Sequence, residues 1–113
     1  MTELEKIDLE LFKVCYPELL RPVINFGQIR YTNEHGHECD LFRFTYDIEV
    51  CFSVLIPEMN RRGWYYTVSY DPSFQCHEAM FWNEDAQDFK ATDDNNVAEA
   101  VSKAAYAALK GEK

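Results

Sequence analysis

The densest set of chemistry-bearing side chains in this sequence is His35, His37 and Cys39, spaced HxHxC. Alternate residues of an extended segment point the same way, so the three could face one zinc ion, with Cys76 or His77 as a fourth ligand if two hairpins are neighbours. Zinc ligands usually come as tight pairs on knuckle turns, and this segment has none. A hydrated loop with two histidines beside a half-buried cysteine accounts for the same residues. Thiol hydrolysis by Cys39 or Cys76 is a weaker option, because His77 follows Cys76 directly and adjacent strand residues face opposite sides. The chain has no glycine-rich phosphate loop, no GxSxG and no paired-carboxylate motif. The expectation is a non-enzymatic protein that needs no cofactor.

A second chemical feature is the acidic stretch NEDAQDFKATDDNN, with Glu84, Asp85, Asp88, Asp93 and Asp94. It reads either as a solvated linker that also caps the next helix, or as a negative surface that imitates nucleic-acid phosphate and occupies a basic host protein. The formal net charge of -9 repels nucleic acid and anionic membrane alike, and leaves protein partners, basic ones included, or a second copy of the chain. The cysteines at 15, 39, 51 and 76 form no CxxC pair and read as free thiols of a reducing compartment. The N-terminal MTELEKIDLELFK is acidic where an export signal needs a basic region and an unbroken apolar run. The expected location is therefore a bacterial cytoplasm.

The 113 residues, 47% hydrophobic and 15% aromatic, suffice for one domain with a single packed core. Its expected centre is a hairpin over 64–82, in which WYYTVSY and CHEAMFW flank a turn at DPSFQ. Trp64, Tyr66, Val68 and Tyr70 share one face of the first strand, and Met80 and Trp82 oppose Ala79 and Phe81 on the second. Neither strand has a fully polar face, which predicts helices on both sides of the sheet. If only one side is covered, the aromatic row becomes a dimer or partner interface.

Before this hairpin, Leu4, Ile7, Leu11, Val14 and Cys15 mark an amphipathic helix whose start, Thr2 with Glu5, fits a capping box. Residues 16–27 read as a connector broken by Pro17, Pro22 and Gly27. Strands follow over 28–32 and 39–44 around an exposed NEHGHE loop, with Phe42 and Phe44 on the buried side of the second strand. Thr45 or Asp47 caps a helix over 47–60, with Ile48, Cys51, Phe52, Leu55 and Met59 on its apolar stripe and a kink or a looser last turn caused by Pro57. After the acidic linker, in which Phe89 can anchor on the core, a last helix over 95–110 buries Val97, Val101, Ala104, Ala105 and Ala108. The fold class is α+β, a mainly antiparallel sheet of about four strands in a layered α/β/α sandwich.

FTYDIEVCFSVL, RRGWYYTVSY, EAMFWNE and ATDDNNVAEAVSKAAYAAL, in this order, resemble the phage ABA-sandwich domain, a family of small phage and prophage proteins. Thr45, Asp47 and Phe52 stand where that family places residues before and within its first helix. Gly63 and Trp64 open its strand, and Ala98, Ala100, Ala104 and Ala105 line its last helix. The resemblance spans residues 41–109 and involves packing residues, so it implies a helix/sheet/helix fold and a phage or prophage setting but no reaction and no site residues. The expected function is protein binding by a small acidic phage accessory protein. Inhibition of a host defence or nucleic-acid-binding protein by charge mimicry is one alternative, and zinc binding through the 35–39 loop is another.

Overall fold

A computed structural model describes residues 1–93 and 96–111. Helix α1 (Glu3–Cys15) opens on the expected capping box: the Thr2 hydroxyl accepts from the Glu5 N–H, and the Glu5 carboxylate accepts from the Thr2 N–H. Strands β1 (Leu20–Asn25), β2 (Gln28–Thr32) and β3 (Glu38–Phe42) form one antiparallel sheet in that order, and β4 (Tyr65–Asp71), β5 (Cys76–Trp82) and β6 (Asp88–Asp93) form another. The single four-stranded sheet is thus replaced by two of three strands, and the α+β class stands. Helix α1 touches β1 on one side and the last helix, α4 (Val97–Gly111), on the other, while α4 packs on β5 and β6. The two sheets are therefore joined through helices, which is not the expected stacking of helices on both faces of one sheet.

Both extra strands lie where the sequence reads as connector. Strand β1 contains Pro22, but Pro22 sits at an irregularity in an edge strand, between the Leu20↔Thr32 and Val23↔Arg30 pairs, where a missing N–H is tolerated. Strand β6 comes from the acidic stretch, where the alternation Phe89, Ala91 inward and Asp88, Lys90, Thr92 outward is a half-buried strand. On β3 the correction is one of length. The strand ends at Phe42, which is 54% exposed, and Phe44 enters the core beyond it, so the two do not share a buried strand face.

The helix over 47–60 forms in three joined parts. Asp47, not Thr45, caps it, accepting from the Glu49 and Val50 N–H groups. Helix α2 (Ile48–Val50) runs into a π-helical turn (Cys51–Leu55), which runs into α3 (Ile56–Arg61). Pro57 supplies no N–H for the Ser53 carbonyl and its ring would clash there. The chain widens by one residue just before it, with the Ile56 N–H donating back to the Cys51 carbonyl. Cys51, Leu55 and Met59 reach the core as expected, but Phe52 is 44% exposed and meets the Tyr66 ring edge-on instead.

Helix α4 starts at a cap made by Asn96, whose side-chain oxygen accepts from the Ala98 and Glu99 N–H groups. Asp94, one of the acids expected to cap this helix, and residue 95, its expected start, lie outside the described residues. Ala98, Ala100, Val101, Ala104, Ala105 and Ala108 are buried, so α4 lies between α1 and the second sheet with little more than methyl groups in contact. At its end a Cβ on Gly111 would fall 2.5 Å from Cζ of Phe89, which makes Phe89 the anchor that the sequence suggests. Phe89 also packs edge-on to Trp64 at 5.7 Å between ring centres.

One buried polar group ties these parts together. Asp8, on the inner side of α1, accepts from Arg43 Nε at 2.7 Å, from the Thr45 hydroxyl at 2.8 Å and from the Thr45 N–H at 2.9 Å. Asn96 Nδ2 donates to the Thr45 carbonyl at 2.9 Å, and Arg43 Nη1 donates to the Phe26 carbonyl at 2.9 Å. The second of these bonds holds the turn of the β1–β2 hairpin, where Phe26 adopts φ 51, a left-handed conformation costly for a bulky residue. Removing one member of a buried ion pair leaves the other charge without compensation. Asp8→Ala is expected to cost about 3–5 kcal/mol in urea unfolding, far more than truncating an exposed acid such as Glu10.

At the opposite end of the 48–61 helix, Glu58 is held below the usual carboxylate range by hydrogen bonds from Arg61 and then Arg62. A carboxyl whose folded-state value lies below the unfolded 4.5 adds stability that is present above that pH and is lost as pH falls through the folded value. Glu58→Gln is expected to lower stability at pH 7 by about 0.5–1 kcal/mol, and the gap from wild type should close in urea melts run progressively below pH 4.5.

Candidate functional site

The register of the second sheet sorts its side chains into two faces. Tyr66, Phe81 and Phe89 align across the strands, as do Val68, Ala79 and Ala91, and this face carries the buried Ala79 and Phe81 that pack with α4. The other face aligns Tyr65, Trp82 and Asp88, then Thr67, Met80 and Lys90, then Ser69, Glu78 and Thr92. No helix covers it: Tyr65, Thr67, Ser69, Asp88, Lys90 and Thr92 are exposed, and Met80 and Trp82 half-buried. This corrects the expectation of cover on both sides. Helix α4 takes one face and α1 is used against α4 and β1, so among the described residues nothing is left to close the other.

The open face has an aromatic corner. Tyr65 and Trp82 pack at 5.9 Å between ring centres, and the Tyr65 hydroxyl donates to Glu84 Oε1 at 3.1 Å across the end of the sheet. That hydrogen bond, aided by the charge of Glu84, raises the Tyr65 phenol above the ordinary tyrosine value. A shallow depression of about 420 Å³ runs around this corner, lined by Asn60, Gly63, Trp64, Tyr65, Tyr66 and Trp82. The geometry suits reception of an apolar side chain with a polar or basic edge.

The acidic candidates divide. Glu84 and Asp85 sit in the exposed β5–β6 turn, which Asn83 closes by accepting from the Asp85 and Gln87 N–H groups. Asp88 stands beside Trp82 on the open face. Asp93 is at the far end of β6, half-buried, with its carboxylate taken up by the Asn96 N–H at 2.9 Å. Asp94 lies outside the described residues. The structure therefore gathers Glu84, Asp85 and Asp88 around the aromatic corner and separates Asp93 from them.

The HxHxC residues do not lie along one extended strand. His35 lies in the turn closed by Asn33, and Gly36 there has φ 80, so the alternation of an extended strand does not apply. His35 and His37 are exposed with ring centres 6.4 Å apart, and Cys39 sits near Asn33 Nδ2 at 3.5 Å. Cys76 and His77 belong to the other sheet, where His77 packs on Tyr70. Among the described residues no three His, Cys, Asp or Glu side chains stand close enough to hold a metal ion. No helix among them is long and apolar enough to cross a membrane.

The residues that sequence reading misses are Asp8 and Arg43. Asp8 carries a legible signal, since it lies four residues after Leu4 and four before Phe12 and so falls inside the apolar arc of α1. Arg43 carries none, because its burial depends on the chain leaving β3 one residue earlier. Comparison of the chain with known protein families, with curated proteins and with solved structures gives no match.

The thiols, too, have unlike surroundings. Burial pushes Cys15 and Cys51 up to about 12, and Cys51 also donates to the Phe44 carbonyl at 3.0 Å. The thiolate is the reactive form, so at pH 8 these two should react with a disulfide reagent on the order of a thousandfold more slowly than an ordinary thiol. The expected titration of native protein leaves Cys15 and Cys51 slow to react until the chain unfolds. Single Cys→Ser variants assign the phases.

Proposed function

We propose that this protein is a non-enzymatic binding domain that holds another protein on the open face of its second sheet, working in a phage or prophage setting. The observation that carries the binding reading is the Tyr65–Trp82 corner on an uncovered sheet face, with Glu84, Asp85 and Asp88 as its rim. Aromatic side chains surrounded by polar groups concentrate binding energy, because they exclude water at low cost in side-chain entropy. The setting rests on the likeness of packing residues over 41–109 to the phage ABA-sandwich domain. The net charge of -9 disfavours nucleic acid and anionic membrane as ligands of this face.

A second reading, inhibition of a basic host protein by charge mimicry, is favoured by the clustering of Glu84, Asp85 and Asp88. It is weakened by Asp93, whose carboxylate is engaged in the chain's own backbone, and by Lys90 on the same face, 3.4 Å from Glu78.

The two readings separate in one experiment. Partners captured from bacterial lysate by the wild-type chain are compared with those of Trp82→Ala and of a Glu84→Gln, Asp85→Asn, Asp88→Asn triple variant, at low and raised salt. The aromatic reading expects Trp82→Ala to weaken a specific capture at least roughly tenfold, with an unchanged melting curve and modest salt dependence. Capture that survives Trp82→Ala but is lost in the triple variant and at raised salt would replace it with charge mimicry.

A further inference from the structure

A sheet edge is a row of unpaired N–H and C=O groups, and three of the four edges in this fold are guarded. Strand β1 carries Pro22 and a register break, β3 carries Glu38 and Asp40, and β6 carries Asp88, Lys90 and Asp93. Strand β4 is guarded only at its end, by Asp71. From Tyr65 to Tyr70 it has no charge, no proline and no break in its register with β5, and its residue types are those that strands favour.

Its sequence is also nearly the same in both directions. Around Val68, Thr67 matches Ser69 and Tyr66 matches Tyr70. An antiparallel pairing of β4 with β4 of a second copy, centred on Val68, therefore sets valine against valine at the axis, Thr67 against Ser69 and Tyr66 against Tyr70. Alternate residues of an edge strand turn both backbone groups outward, so either hydrogen-bonding phase of β4 is compatible with this centre. The pairing also accounts for exposed rings on the side facing the helices. Tyr66 is 37% exposed and Tyr70 53% exposed, and α4 packs chiefly on β5 and β6.

We infer that the protein self-associates through β4, two copies joining their three-stranded sheets into one of six strands with a two-fold axis at Val68. The axis makes the interface self-complementary, as a symmetric dimer requires. The open faces of the two copies then become one continuous surface, with a Tyr65–Trp82 corner on each side of the axis. Self-association does not depend on what the open face binds, and a monomeric chain that still captured a Trp82-dependent partner would remove this inference alone.

Salt gives a signature opposite to that of a basic partner. Two copies of net charge -9 repel each other, and salt screens that repulsion, so the dimer should tighten as salt rises. The test is sedimentation equilibrium of the full chain across the micromolar range, at low and raised salt, for wild type, Val68→Lys and Val68→Glu. Wild type is expected to pass from monomer to dimer with concentration, and each variant to remain a folded monomer by circular dichroism. An equimolar mixture of the two variants should recover a dimer, because a lysine then faces a glutamate across the axis. A monomeric wild type at all concentrations overturns the inference. So does a dimer that persists in Val68→Lys and Val68→Glu alike, or a mixture of the two that stays monomeric. If either variant fails to fold, a Thr67→Lys, Ser69→Lys double variant, whose exposed lysines face each other across the axis, decides with the same sedimentation readout: a folded variant that still dimerises as wild type does overturns the proposal.

Discussion

The carboxylate of Asp8, fully buried among Arg43 and Thr45, is the interaction on which the rest of the structure depends. It lies where α1, the segment after β3 and, through Thr45 and Asn96, the start of α4 meet. Each of those segments contributes a polar group that another of them satisfies. Buried ion pairs are weak devices for adding stability and better ones for excluding wrong arrangements, since any other docking of α1 leaves Asp8 or Arg43 unpaired in an apolar setting. Arg43 carries the constraint outward as well, its guanidinium bonded to the Phe26 carbonyl and stacked 4.1 Å from the centre of the Tyr46 ring.

From that junction the division of labour between faces follows. Helix α4 starts at the segment after β3, where Asn96 reaches the Thr45 carbonyl, and must pack on both α1 and the second sheet, which a surface of alanines permits. With α4 committed to β5 and β6, no helix among the described residues covers the outer face of that sheet, and only Phe52 and the end of the 48–61 helix reach β4. The acidic turn at 83–87 and the aromatic corner lie at the border of this uncovered region, so the surface available for recognition is the remainder left by packing.

The elements with strong periodicity were legible in the sequence. The cap at Thr2, the hairpin with Tyr65, Phe81 and Trp82 on their expected faces, the cap at Asp47 and the alanine stripe of α4 all follow from local rules. What stayed hidden was decided by neighbours. Strand β1 carries a proline that argues against a strand except at an irregular edge, and whether it is an edge depends on β3. Strand β6 was masked by its carboxylates, which say that one face is wet without saying that the other is dry. Pro57 marked an irregular helix, and the irregularity is a wider turn just upstream of it. Of the proposed site, the aromatic residues and acids were visible as types. Their assembly into one corner required knowing that Trp82 stands opposite both Tyr65 and Asp88.

The alanines of α4 also limit how this protein can vary. At Ala98, Ala100, Ala104, Ala105 and Ala108 each buried side chain is already a single methyl, so the usual drift of a core through smaller or differently shaped hydrophobes has nowhere to go. Glycine would loosen the helix by about 1 kcal/mol per site, and any larger residue would force α1 and the second sheet apart. The tolerated alphabet at these places shrinks to nearly one letter. Sequence change is pushed instead to the uncovered side of β4, β5 and β6, where a new side chain alters what the surface touches without disturbing what holds it up.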